Sequence, residues 1–110
     1  MKLQLKNKER ITQFIILFQN LKAFSEHVIL HASKSGLFMQ GMDSSQSSCF
    51  EAKLTASWFD SYEYNLEDET TSFGVSTQII QKILGIYQDK QEVEMNVDEN
   101  MENLFVSFSE

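Results

Sequence analysis

The chain lacks proline altogether, has one cysteine and four scattered glycines, and holds only nine lysines and arginines among its 110 residues. Each shortage excludes something. Without proline, and without a low-complexity stretch, there is no stiff inter-domain linker. Scattered glycines leave no phosphate-cradling loop. A lone Cys49 cannot form an intramolecular disulfide and fits a reducing compartment. No apolar run approaches the roughly 18 residues of a membrane span, so no membrane partner is expected. Lys2–Lys6 alternates polar and apolar instead of forming a signal-peptide core. Sixteen acidic residues outweigh the bases to give a net charge of −7, which argues against nucleic acid when taken alone.

What is present suits one folded domain. The chain is 42% hydrophobic and 12% aromatic, enough to bury a core at this length. Two segments have helical periodicity. In Lys8–Phe24, Ile11, Phe14, Ile15, Phe18 and Leu21 recur at helical spacing, Leu17 and Phe24 widen the stripe, and Asn7 is positioned to cap. In Ser76–Tyr87 the stripe is Ile79, Ile80, Ile83, Leu84 and Tyr87, with Ser76 or Thr77 as cap.

The rest reads as strands. Lys2–Lys6, Glu26–Ala32, Leu37–Gln40, Cys49–Thr55, Ser72–Val75, Gln91–Val97 and Leu104–Ser109 are short and alternating, and Trp58–Tyr64 reads as extended. Ser33-Lys34-Ser35-Gly36 makes the second and third strands a hairpin. Gly41–Ser48, Asn65–Thr71 and Asp98–Asn103 read as loops or turns. The order β-α-β-β-β-β-β-α-β-β predicts an α+β fold, two helices packed on largely antiparallel sheets. Phe18 is expected in the core.

Catalytic chemistry is not in evidence. His27 and His31 share a strand face with no third ligand nearby, so they read as exposed strand residues and not as metal ligands. Cys49 reads as a buried or half-buried structural thiol. Met39, Met42, Met95 and Met101 read as core or turn residues. No nucleophile, base and orienter come together. The expectation is a non-enzyme with no cofactor and no metal.

The stretch Gly36-Leu37-Phe38-Met39-Gln40-Gly41-Met42-Asp43-Ser44-Ser45, followed by Phe59-Asp60-Ser61-Tyr62, resembles the proliferating cell nuclear antigen family, the eukaryotic and archaeal type of DNA sliding clamp. The register runs from Glu9 to about Asn65, resumes at Phe73-Gly74-Val75, and takes in Lys82-Ile83-Leu84 and the closing Leu104–Phe108. The resemblance implies a processivity factor, one domain spanning residues 1–110 and similar to the N-terminal half of a two-domain subunit. In the family, a homotrimeric ring encircles duplex DNA with its helices inward, and its outer face binds DNA polymerase and other clamp-binding peptides. A nuclear or viral replication site is the implied location. A connector and a further strand usually follow the position of Glu110, so the chain reads as an N-terminal fragment or a truncated relative.

The resemblance also assigns residues. The two helical segments hold Lys8, Arg10, Lys22 and Lys82 against Glu9 alone, which segregates positive charge on the elements expected to face DNA. Met42, Gln46, Ser47 and Cys49 match positions beside the partner-peptide pocket. Departures accompany these matches. Ile15 and Ile16 stand where many clamps have basic residues, Gly85 stands where another is common, and Gln46 and Ser47 replace the usual histidine and valine. Two other readings belong beside this one: a checkpoint-type clamp subunit acting in a mixed ring at damaged DNA, and an acidic α+β protein-interaction domain.

Overall fold

The computed structural model describes residues 1–42, 45, 48–65, 69–97 and 104–110. Expectations that fall on Asp43, Ser44, Gln46, Ser47, Glu67, Asp68 and Asp98–Asn103 lie outside the described residues. The elements follow the expected order: β1 (Lys2–Leu5), α1 (Lys8–Phe24), β2 (His27–Ser33), β3 (Gly36–Met42), β4 (Cys49–Thr55), β5 (Ser61–Glu63), β6 (Thr70–Ser76), α2 (Thr77–Leu84), β7 (Glu92–Val97) and β8 (Leu104–Ser109).

The strands form two four-stranded antiparallel sheets, ordered β5-β1-β7-β8 and β4-β3-β2-β6. Period-two alternation sends one set of side chains inward from each sheet. Leu3 and Leu5 of β1, Val28, Leu30 and Ala32 of β2, Leu37 and Met39 of β3, and Val93, Met95 and Val97 of β7 are all buried. Strands β4 and β8, each at one end of its sheet, bury theirs only in part.

Helix α1 forms where the apolar spacing requires it. Asn7 Oδ1 accepts from Glu9 N at 2.8 Å and Arg10 N at 3.3 Å, satisfying two of the orphan donors of the first turn. Ile11, Phe14, Phe18 and Leu21 face inward, and the Phe14 and Phe18 rings meet edge to face at 5.1 Å. Phe18 is wholly buried, as expected. Helix α2 is capped by Ser76, and its first residue, Thr77, is buried with its polar atoms satisfied: N donates to Glu26 O at 3.0 Å and Oγ1 to Ser25 O at 2.6 Å. These bonds bring the start of α2 to the end of α1, while Lys8 meets Asp89 at the other end, so the two helices run antiparallel. They pack side by side over the sheets.

The Phe59-Asp60-Ser61-Tyr62 motif is a structural junction. The Phe59 ring enters the core against Phe14. Asp60 Oδ2 accepts from Lys6 N at 2.6 Å and Asn7 N at 3.3 Å, holding the turn between β1 and α1. The backbone bond from Lys6, foremost, holds the Asp60 carboxyl below its ordinary value. Tyr62 Oη donates toward Ser33 O at 2.6 Å and Gly36 O at 2.9 Å, tying β5 to the β2–β3 hairpin, and burial pushes the phenol up. Gly36 has φ of 144°, and a Cβ there would meet Leu54 O at 2.3 Å, so glycine alone fits that turn.

Several boundaries differ from the sequence expectation. Ala56–Trp58 is a 3-10 turn, and only Ser61–Glu63 of the extended segment pairs as strand. Strand β3 continues through Gly41 and Met42, which pair with Phe50 and Cys49 instead of opening the loop. Strand β6 begins at Thr70 because β2 offers partners that far. Helix α2 stops at Leu84, with Gly85 as its cap, so Tyr87 lies beyond it. Ile79, expected in the buried stripe, is 59% exposed, since adjacent helical positions point about 100° apart and Ile80 takes the core side.

Candidate functional site

Two surfaces carry the residues singled out from the sequence. The first is the solvent side of the helix pair. Opposite the buried line of α1 lie Thr12, Ile16, Gln19, Asn20 and Ala23, all exposed and uncharged. Lys8, Ile15 and Lys22, spaced by seven, share the flank of α1 that faces α2. On α2, Gln78, Ile79 and Lys82 face outward. Lys22 and Lys82 are exposed and have no anionic partner among the described residues.

The other two expected cations are engaged. The Lys8 ammonium pairs with Asp89 at 2.9 Å, an interaction that raises the lysine and lowers the aspartate from their ordinary values. The Arg10 guanidinium donates to the Trp58 carbonyl and lies 5.9 Å from the centre of the Trp58 ring. Arg10 therefore braces α1 against the 3-10 turn, on the flank away from α2. Ile16 is 47% exposed in the middle of this face.

The second surface is the outer face of the β4-β3-β2-β6 sheet. Register places His27, Ile29, Gln40, Met42, Cys49 and Gly74 around a groove of about 760 Å³. Met42 pairs directly with Cys49, and Ile29 stands between Gln40 and Gly74. A Cβ on Gly74 would meet nothing within 4 Å, so its missing side chain leaves groove space open. Met42 and Ile29, at 50% and 47% exposure, supply an apolar rim, and Glu26 and Gln40 supply polar groups.

One expectation is corrected here. Cys49 is exposed and not buried, because pairing with Met42 turns its side chain to the outer face. Met42, read both as a core or turn residue and as a peptide contact, lies on the surface at the end of β3. The structure thus brings together Met42 and Cys49 of the four residues read as peptide contacts, while Gln46 and Ser47 lie outside the described residues. Ile29, His27 and Gly74 were missed. Alternation alone had put His27 and Ile29 on one face of β2, but only the pairing of β2 with both β3 and β6 reveals the groove.

His27 is exposed, as read. His31 is half-buried: its ring stacks on Phe38 at 5.5 Å, with one nitrogen 2.6 Å from Ser72 Oγ and the other 3.3 Å from Gln40 Oε1. No cluster of three or more His, Cys, Asp or Glu among the described residues could hold a metal. No described helix is long and apolar enough to cross a membrane.

Comparison with known proteins adds two findings. The family model described as proliferating cell nuclear antigen, N-terminal domain, matches residues 4–110. Among solved structures, a chain from the PCNA2–PCNA3 complex of Sulfolobus tokodaii superposes with a TM-score of 0.84 at 23% identity; the match covers 100% of this chain and 42% of that one. At that identity the likeness speaks for the fold. No curated protein sequence matches the chain.

Proposed function

Because the chain belongs to the proliferating cell nuclear antigen family, matched through its N-terminal domain, we propose that it is one domain of a DNA sliding clamp. In this reading it is a non-enzymatic processivity factor. The helix layer faces the duplex, and the sheets form the outside of a ring. The observation that carries it is the division of the molecule into two opposed faces. The antiparallel helix pair presents Lys22 and Lys82 unpaired among the described residues, while the far sheet presents an apolar-rimmed groove.

Phosphates are approached without sequence readout, since long lysine side chains on a helix surface make mobile, point-charge contacts. A largely neutral helix face with few free cations holds the duplex loosely, as a ring that must travel along it requires. Net charge of −7 on the chain is compatible with this role because repulsion elsewhere discourages side-on DNA binding.

The groove suits an extended partner segment with an apolar or aromatic anchor, such as a polymerase tail, with Met42 adapting to the anchor and Gln40 orienting backbone groups. Assembly uses the sheet edges. Strands β4 and β8 each end a sheet, with an edge unpaired among the described residues and half-buried inner side chains, a pattern that supports pairing with further strands of the whole subunit or of the next copy. Light scattering on the full-length protein tests the assembly. A closed oligomer of defined size is expected, and a monomer at all concentrations would contradict a self-assembled ring. A monomer that closes into a ring only with a second, related chain would instead favour the mixed-ring reading.

A further inference from the structure

We propose that Asp89 restrains DNA contact: it holds the Lys8 ammonium in an ion pair and withholds it from the phosphate backbone. The proposal rests on the clamp reading, in which the helix layer faces DNA. Lys8 and Lys22 lie on one flank of α1, fourteen residues or about 21 Å apart along its axis. Lys22, at one end of that line, is unpaired among the described residues, whereas Lys8, at the other, meets Asp89 Oδ1 at 2.9 Å.

The backbone at Asp89 is set by bonds that do not involve Lys8. It sits in a tight turn closed twice: Gln91 N donates to Gln88 O at 3.2 Å, and Gln88 N donates to Gln91 Oε1 at 2.8 Å. Lys90 completes the turn at φ of 75°, a backbone region that L side chains rarely adopt and that persists where the surroundings enforce it. The turn therefore fixes the backbone from which the Asp89 carboxylate reaches Lys8.

Both partners remain well exposed, at 67% and 64%, so a phosphate can reach the ammonium once the carboxylate's charge is removed. With Asp89 present, a phosphate approaching Lys8 meets the carboxylate's negative charge beside it. Asp89 thereby limits the free cations of the helix layer to Lys22 and Lys82 among the described residues.

The test is duplex DNA association of the assembled protein, read by fluorescence anisotropy across a salt series. Asp89→Asn should steepen the slope of log affinity against log salt by about 0.9 per chain, the release expected for one added phosphate contact. Lys8→Gln should leave the parental slope unchanged, Asp89→Glu should keep it, and the pair Asp89→Asn with Lys8→Gln should return it to the parental value. Lys90→Gln in the Asp89→Asn background should keep the gain. An unchanged slope in Asp89→Asn overturns the proposal, and so does a gain that survives removal of Lys8, which would mark a general charge effect. A carboxyl NMR titration reads the pair without DNA: Asp89 should titrate higher in Lys8→Gln than in the parent, and no movement also overturns the proposal. If the pair is seen by NMR but the parent binds no duplex at any salt, the clamp reading itself fails and the proposal falls with it.

Discussion

Replacing Lys22 and Lys82 together with glutamate probes the helix face most directly. Both side chains are exposed and unpaired among the described residues, so the double variant should fold with a stability change within about 0.5 kcal/mol per site. Removing one phosphate interaction should flatten the log–log salt dependence of duplex binding by about 0.9, so about 1.8 per chain if each lysine meets one phosphate. The net-charge change alone could weaken binding through the long-range field. The control is therefore an equal reversal, Lys34→Glu with Lys2→Glu, on the β2–β3 turn and the exposed side of the interior strand β1, away from the helix face and the sheet edges. Both variants are measured by anisotropy on one duplex across a salt series. The helix pair should flatten the slope and the control pair should leave it parental. Equal effects from both pairs, or none from the helix pair, would refute the assignment of the helix layer to DNA.

Three further outcomes follow from the packing and the groove. Phe18→Ala removes a wholly buried ring packed edge to face against Phe14 and should cost about 3–5 kcal/mol in a denaturant melt. Asp60→Asn should destabilise by about 1 kcal/mol at neutral pH, through weakened bonds to Lys6 N and Asn7 N at an exposed site. Because the folded carboxyl lies below its ordinary value, that contribution is whole above the ordinary aspartate range and is lost as pH falls through the folded value. The gap between parent and variant in melts should close in acid. Met42→Ala should weaken binding of an aromatic-anchored peptide by about 1 kcal/mol in a calorimetric titration of the full-length protein, the apolar area of a half-exposed side chain; unchanged affinity would make the residue purely structural.

Regular elements were legible where one face had to be buried. The spacing of Ile11, Phe14, Phe18 and Leu21 left α1 a single orientation, and strict alternation did the same for β1 and β7. Errors concentrate where local pattern and tertiary pairing diverge. Ile79 and Ile80 are adjacent on a helix of eight residues, so both cannot face the core, and sequence alone does not say which one turns out. Gly41 and Met42 resemble the start of a polar loop until β4 supplies partners for them. Cys49 alternates with Glu51 and Lys53, which in hindsight marks it as outward-facing, but its apolar character favoured burial.

The candidate surfaces were less legible than the fold. Helical placement put Lys8 among the free cations, and nothing in the α1 sequence signals that a turn some eighty residues away would bring Asp89 to it. Arg10 is drawn to Trp58 by a bond and a ring contact equally invisible to periodicity. Ile29, His27 and Gly74 join Met42 only through the β3-β2-β6 register. Residue type identifies what can bind, while pairing across distant segments decides which groups are left free to do so.

The central claim is that this chain belongs to a ring closed around duplex DNA, and topology tests it most directly. The full-length protein would be loaded onto nicked circular plasmid and passed through a sizing column at high salt, then again after the plasmid is cut once. An encircling ring should co-elute with the circle, because a topological link does not depend on screened charge, and should be lost from the linear DNA by sliding off its ends. Equal retention on circle and line, or loss from both at high salt, would contradict the account.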